Sequence, residues 1–125
     1  MAKRVLVAED EPNIAESLRF LLSRAGFEVC IHERGTDALA AALETCPDVV
    51  VLDAMLPEMD GYEILRRIRR DPRGQAIPIL MLTARGQRAD REKAVESGAD
   101  VFMTKPFSNA DLMDAVARLA DGRSA

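Results

Sequence analysis

No apolar run in this 125-residue chain approaches the roughly 20 residues needed to cross a membrane. After Lys3-Arg4, only Val5 to Ala8 are apolar before Glu9 interrupts, too short a stretch for a signal peptide. Cysteine and histidine are scarce, with two and one respectively. Cys30 and Cys46 lack zinc-ligand or redox spacing and stand among apolar residues, so they read as buried, reduced thiols of a cytoplasmic protein. His32 has no metal-ligand partner in sequence and is given no catalytic role. Positive charge is not in excess: 17 Lys and Arg face 21 Asp and Glu, for a formal net charge of -4 and a pI of about 5.0. Such a chain is a poor candidate for non-specific nucleic-acid binding. There is no internal repeat, low-complexity tract or linker.

What is present is a single domain's worth of residues, 48% hydrophobic and 30% charged, arranged as alternating apolar runs and amphipathic stretches. Strands are predicted at Val5–Ala8, Phe27–His32, Val49–Asp53, Ile77–Leu82 and Asp100–Met103. Helices are predicted at 12–25, 35–45, 61–70, 88–97 and 108–120. In the first, Ile14, Leu18, Leu21, Leu22 and Ala25 share a face, Pro12 suits the first turn and Gly26 the end. In the third, Ile64, Leu65 and Ile68 point inward, and the run Arg66-Arg67-Ile68-Arg69-Arg70 places its arginines on a solvated face. Ser108 is placed to cap the last helix, with Asp111 three residues on. Strands this apolar are covered on both faces, which predicts an α/β fold, a five-stranded doubly wound parallel sheet with five helices. The common order for such a flavodoxin-like sheet is 2-1-3-4-5.

That topology brings the ends of strands one and three to one crevice. Glu9 and Asp10 follow strand one and Asp53 ends strand three. Three carboxylates together repel one another unless a hard divalent cation is bound, and Mg2+ suits such oxygen donors. Thr83 brings a hydroxyl to the same rim from strand four, where it is otherwise an ordinary turn former. Lys105 brings a cation from strand five, able to offset the carboxylates or to grip a phosphoryl group. Pro106 restricts Lys105 to extended backbone and makes a cis bond possible.

The stretches VLVAEDEP, VVVLDAMLPEMDGYE, PILMLTA and GADVFMTKPF stand in an order and spacing that resemble the receiver domain of bacterial two-component response regulators, over about Lys3 to Leu119. The resemblance implies a stand-alone receiver over residues 1–125, of the chemotaxis-regulator type, without an output domain. It implies a phosphoacceptor switch rather than an enzyme acting on other substrates, one that promotes only its own phosphorylation and dephosphorylation. Asp53 would accept a phosphoryl group from a sensor histidine kinase or a histidine phosphotransfer protein. Asp10, Asp53 and the Met55 carbonyl would hold Mg2+, with Mn2+ as a substitute, and Glu9 would act through a metal-bound water. Lys105 and Thr83 would contact phosphoryl oxygens. Thr83 and Phe102 would form the switch that alters the face of helix four, strand five and helix five toward a downstream protein target. The protein would be a cytoplasmic monomer, or a weak dimer dependent on phosphorylation, that neither inserts into membranes nor contacts nucleic acid.

Several features depart from the family or leave alternatives open. Glu9 stands where Asp is commoner, which predicts altered Mg2+ affinity rather than its loss. Receivers of winged-helix transcription factors pair an Asp four before the Lys with an Arg about ten after it; here Val101 and Ala115 stand there, which argues against that subfamily's active dimer. Phe102 alternates with Val101 and also fits plain core packing. Phe20 lies off the buried stripe, either docking a partner or half-covered by a neighbouring helix. Met55 and Arg85 flank the site and are placed to tune phosphoryl lifetime. Haloacid-dehalogenase-like phosphotransferases use the same residue types, but carry Asp-x-Asp on their first strand, whereas this chain has Glu9-Asp10. A flavodoxin-like binder needs a phosphate loop after strand one, where Glu9-Asp10-Glu11 repels anions. A pseudo-receiver would not need Asp53, Asp10, Thr83 and Lys105 together. Residues 121–125 also suit the start of a linker in a longer regulator.

Overall fold

A computed structural model describes residues 2–84 and 88–124. Five strands and five helices alternate: β1 (Arg4–Ala8), α1 (Pro12–Arg24), β2 (Glu28–His32), α2 (Gly35–Thr45), β3 (Val49–Asp53), α3 (Gly61–Arg70), β4 (Ile79–Thr83), α4 (Arg88–Ser97), β5 (Val101–Thr104) and α5 (Asn109–Ser124). The strands form one parallel sheet in the order β2-β1-β3-β4-β5. This is the expected doubly wound α/β arrangement.

Alternation along the strands divides the core in two. Leu6, Val50, Leu52, Ile79 and Met81 pack with residues of α2, α3 and Ala94 of α4 on one face. Val5, Val7, Val51, Leu80 and Leu82 pack under α1 and α5 on the other, against Leu18, Leu22, Leu112 and Val116. Every residue of β3 and β4 is buried. Such runs carry no period-two pattern because both faces are covered.

Local chemistry sets most boundaries. Asp60 caps α3, its Oδ1 accepting the Glu63 N–H at 2.9 Å. Ser108 accepts the Asp111 N–H at 3.3 Å, as its position predicts. Gly26 and Gly98, at φ of 97° and 108°, follow α1 and α4, where the left-handed backbone favours glycine. β4 begins at Ile79, not Ile77, and β5 spans Val101–Thr104, one residue later than expected. The Asp100 carboxylate accepts the Ile79 N–H at 2.8 Å, so Asp100 joins the two strands from outside β5.

Four expectations are corrected. Cys30 is exposed and Cys46 half-buried, both free. Cys30 lies on the edge strand β2, where flanking apolar residues do not guarantee cover. Ala25 is exposed and Leu21 half-buried, while Ala15 joins the buried face of α1. Arg69 does not sit on a solvated face. Its guanidinium donates to the carbonyls of Gly98 at 2.9 Å, Gly74 at 2.8 Å and Ile77 at 2.7 Å, and pairs with Asp100 at 3.0 Å. Finally, α5 continues to Ser124 through Gly122 rather than stopping at 120.

Candidate functional site

The carboxyl ends of β1, β3, β4 and β5 form one rim. Glu9 and Asp10 follow β1, Asp53 closes β3, Thr83 closes β4, and Lys105 follows β5. Backbone hydrogen bonds carry the ladders past the strands. The Glu9 N–H donates to the His32 carbonyl at 3.1 Å, Ala54 to Leu82 at 2.8 Å, and Lys105 to Thr83 at 2.7 Å. The side chains thus extend from fixed backbone, and His32 serves here only through its carbonyl.

The three acids do converge. One carboxylate oxygen from each of Glu9, Asp10 and Asp53 lies within 4.8 Å of the others. Glu9 and Asp53 are buried, whereas Asp10 is exposed at the mouth. The Lys105 ammonium lies 2.8 Å from Glu9 Oε1 and 3.3 Å from Asp53 Oδ2. Backbone donors hold the remaining oxygens: Glu11 N–H reaches Glu9 Oε2 at 3.2 Å, and Met55 N–H reaches Asp53 Oδ1 at 3.2 Å. The Lys105–Pro106 peptide is cis.

Burial raises the Glu9 carboxyl to about 7, reinforced by Asp53 and only partly countered by Lys105. Burial alone would lower the Lys105 ammonium, but the Glu9 and Asp53 carboxylates outweigh it and hold the pKa above its usual value. A concentration of negative charge thus meets a firmly protonated lysine. Hard oxygen donors with residual negative charge fit a divalent cation such as Mg2+.

The turn after β3 is built around Gly61. A side chain there would run into the Asp53 carbonyl and the Ala54 Cα, so only glycine lets α3 start this close to the acid. Gly61 N–H donates to Ala54 O at 2.9 Å. Glu58, at φ 71°, takes the left-handed turn without glycine's freedom; its carboxylate accepts from Thr36 Oγ1 at 3.1 Å and lies 3.8 Å from Arg34. The Met55 side chain, 67% exposed, stands at the rim as expected. Arg85 lies outside the described residues.

Thr83 is buried and Phe102 half-buried, the latter packed against the α2–α3 core. Both readings of Phe102 remain compatible with that position. Val101 and Ala115 pack against the α1–α5 core, and Arg118 pairs with Asp114 at 3.1 Å on its own helix. Phe20 is 59% exposed with Arg24 over its ring, so it is not covered by a neighbouring helix. Sequence reading missed Gly61, whose need is set by the close approach of α3, and the Glu11 N–H, which no side-chain pattern reveals. A groove of about 480 Å³, lined by Ile14, Ser17, Pro106, Phe107 and others, opens beside Lys105 between α1 and the start of α5.

Comparison with known proteins agrees with this geometry. The sequence model of the response regulator receiver domain matches residues 5–117. The chain is 42% identical over 113 residues to the phosphate regulon transcriptional regulatory protein PhoB of Rhizobium meliloti, covering 90% of this chain and 50% of that protein. It is 40% identical over 116 residues to the DNA-binding dual master transcriptional regulator RpaA of Synechocystis, covering 93% and 48%. The chain thus spans about half the length of these curated relatives. Among solved structures, the receiver domain of a sensor histidine kinase from Pseudomonas aeruginosa superposes with a TM-score of 0.89 at 30% identity, covering 97% of this chain and 99% of that one. That structure has a magnesium ion coordinated in its active site cleft.

Proposed function

Because the chain belongs to the response regulator receiver domain family, we propose that it is a phosphoacceptor switch in which Asp53 takes a phosphoryl group from a phosphohistidine. The observation that carries this reading is the single cluster of Asp53, Glu9, Asp10 and Lys105 at the sheet's crevice. Asp53 Oδ attacks phosphorus, the new O–P bond forms as the P–N bond breaks, and the leaving imidazole takes up a proton. Met55 N–H steadies one Asp53 oxygen while Lys105 lies against the other. Lys105 then grips a phosphoryl oxygen as a point charge, and the Thr83 hydroxyl donates to another.

Asp10, Asp53 and the Met55 carbonyl would hold Mg2+ or Mn2+, with Glu9 acting through a bound water. Bound there, the cation neutralises charge on the transferring group. The phosphodonor, a sensor histidine kinase or phosphotransfer protein, reaches Asp53 past the groove between α1 and α5. The product adds roughly -1.5 to -2 charges at one point, by analogy with other phosphorylated side chains. Thr83 and Phe102 answer that charge, and the α4–β5–α5 face passes the change to a protein target. In this reading the chain acts on no substrate but its own Asp53 and works in the cytoplasm.

The test is incubation with acetyl phosphate and Mg2+, followed by intact mass. Expected is one phosphoryl group, labile to base and to hydroxylamine, absent without the metal and absent in Asp53→Asn. Labelling that survives Asp53→Asn would sink the assignment.

A further inference from the structure

We propose that Arg91 and Lys93 are positioning residues for the switch, two latches that hold α4 and the Phe102 ring in the arrangement described here. This rests on the reading of Phe102 as a switch residue. The Arg91 guanidinium carbon lies 5.2 Å from the centre of the Phe102 ring in β5. The Lys93 ammonium lies 4.4 Å from the centre of the Tyr62 ring in α3. Both distances fall within the roughly 6 Å over which a cation is attracted to a ring face. Two residues apart on a helix, the side chains leave on nearly opposite sides. One therefore reaches the strand on one flank of α4 and the other reaches the helix on the other flank.

Apart from these contacts, α4 is held by the core packing of Ala94 and by Arg66 Nη1, which donates to Ser97 Oγ at 3.5 Å. The helix buries only Ala94 and Ser97. Arg91 and Lys93 have no carboxylate within ion-pair distance among the described residues, so the rings are the partners found for these charges. The contact to Tyr62 also marks where α4 has room to settle differently. The Tyr62 hydroxyl is buried with no hydrogen-bond partner among the described residues. An unmade buried hydrogen bond is costly. Asp90, in the first turn of α4, is near enough to raise the phenol's pKa, behind burial as the main cause. A shift of α4 that brings that carboxylate, or water, onto the hydroxyl would relieve the cost. The helix thus has reasons both to stay, through two ring contacts, and to move, through one unmet hydroxyl.

Each latch biases the equilibrium by a factor of roughly two to five, the range for exposed cation–ring contacts. A phosphoryl mimic must first shift that equilibrium, so its apparent affinity reports the latch. The experiment titrates Mg2+-loaded full chain with beryllofluoride while following the Phe102 ring signals by NMR. Expected is a midpoint roughly two- to fivefold lower in Arg91→Gln, near wild type in Arg91→Lys, which keeps the cation, and lower again when Lys93→Gln is added. Arg91 and Lys93 are exposed, so these variants are expected to fold. A wild-type ring response with unchanged or raised midpoints in Arg91→Gln would overturn the latch alone. No ring response in the wild type would overturn the switch reading, and the latch with it.

Discussion

β3 and β5 flank the same strand and are packed in opposite ways. All five residues of β3 are buried, whereas all four of β5 are half-buried. The helices repeat the contrast. α3 buries Tyr62, Ile64, Leu65 and Ile68, but α4 buries only Ala94 and Ser97. Asp53 ends the rigid strand; Phe102 and Lys105 belong to the soft edge. A nucleophile needs a fixed position, and a response needs an element that moves at small cost. In the proposed reading, with Asp53 as acceptor and Phe102 as switch, the division of labour follows the division of packing.

The largest effect expected is on the rigid side. Leu52→Ala, in β3, should cost about 2–5 kcal/mol by urea denaturation, while Met103→Ala, in half-buried β5, should cost distinctly less. Equal losses would dissolve the comparison. Arg69→Ala comes next, since it removes the guanidinium's hydrogen bonds to the Gly98, Gly74 and Ile77 carbonyls and to Asp100 at the opposite end of the sheet. About 1–3 kcal/mol is expected in the same measurement, with the acidic rim intact and Mg2+ affinity unchanged. A change in affinity would mean that the two ends of the sheet are coupled.

The acidic rim should show in the pH dependence of stability. Glu9 is raised from 4.5 to about 7 by burial, so the folded chain holds a proton that the unfolded chain releases. Between those two values the metal-free protein loses stability as pH rises, by on the order of 2 kcal/mol. Glu9→Gln should flatten that slope in thermal melts, and Mg2+ should restore stability above pH 7. A slope unchanged in Glu9→Gln would remove Glu9 as its source. The smallest effect is expected at Glu58→Gly. Relief of the positive φ is set against loss of the Thr36 and Arg34 contacts, leaving the stability within about 1 kcal/mol of wild type.

The centre was more legible in the sequence than the edge. Val49-Val50-Val51-Leu52 announces a strand covered on both faces, and an acid at its end falls at the crevice by topology alone. Glu9, Asp10, Thr83 and Lys105 were legible for the same reason, each standing at a strand end. Cys30 was misread because its exposure depends on β2 lying at the sheet edge, which neighbouring residues do not encode. Arg69 was misread because its partners come from two connections distant in sequence, α3–β4 for Gly74 and Ile77 and α4–β5 for Gly98 and Asp100. The end of α5 was misplaced because a single Gly122 does not stop a helix. Arg91 and Lys93 carry no pattern of their own; only the tertiary placement of two rings gives them a role.

The most direct test of the central claim is where the phosphoryl group lands. Borohydride reduces an acyl phosphate to the corresponding alcohol, so the wild-type chain treated with acetyl phosphate and Mg2+ should yield homoserine at position 53 on peptide mapping. Reduction at Glu9 or Asp10 instead, or no reduced residue in a chain shown to be phosphorylated, would contradict it.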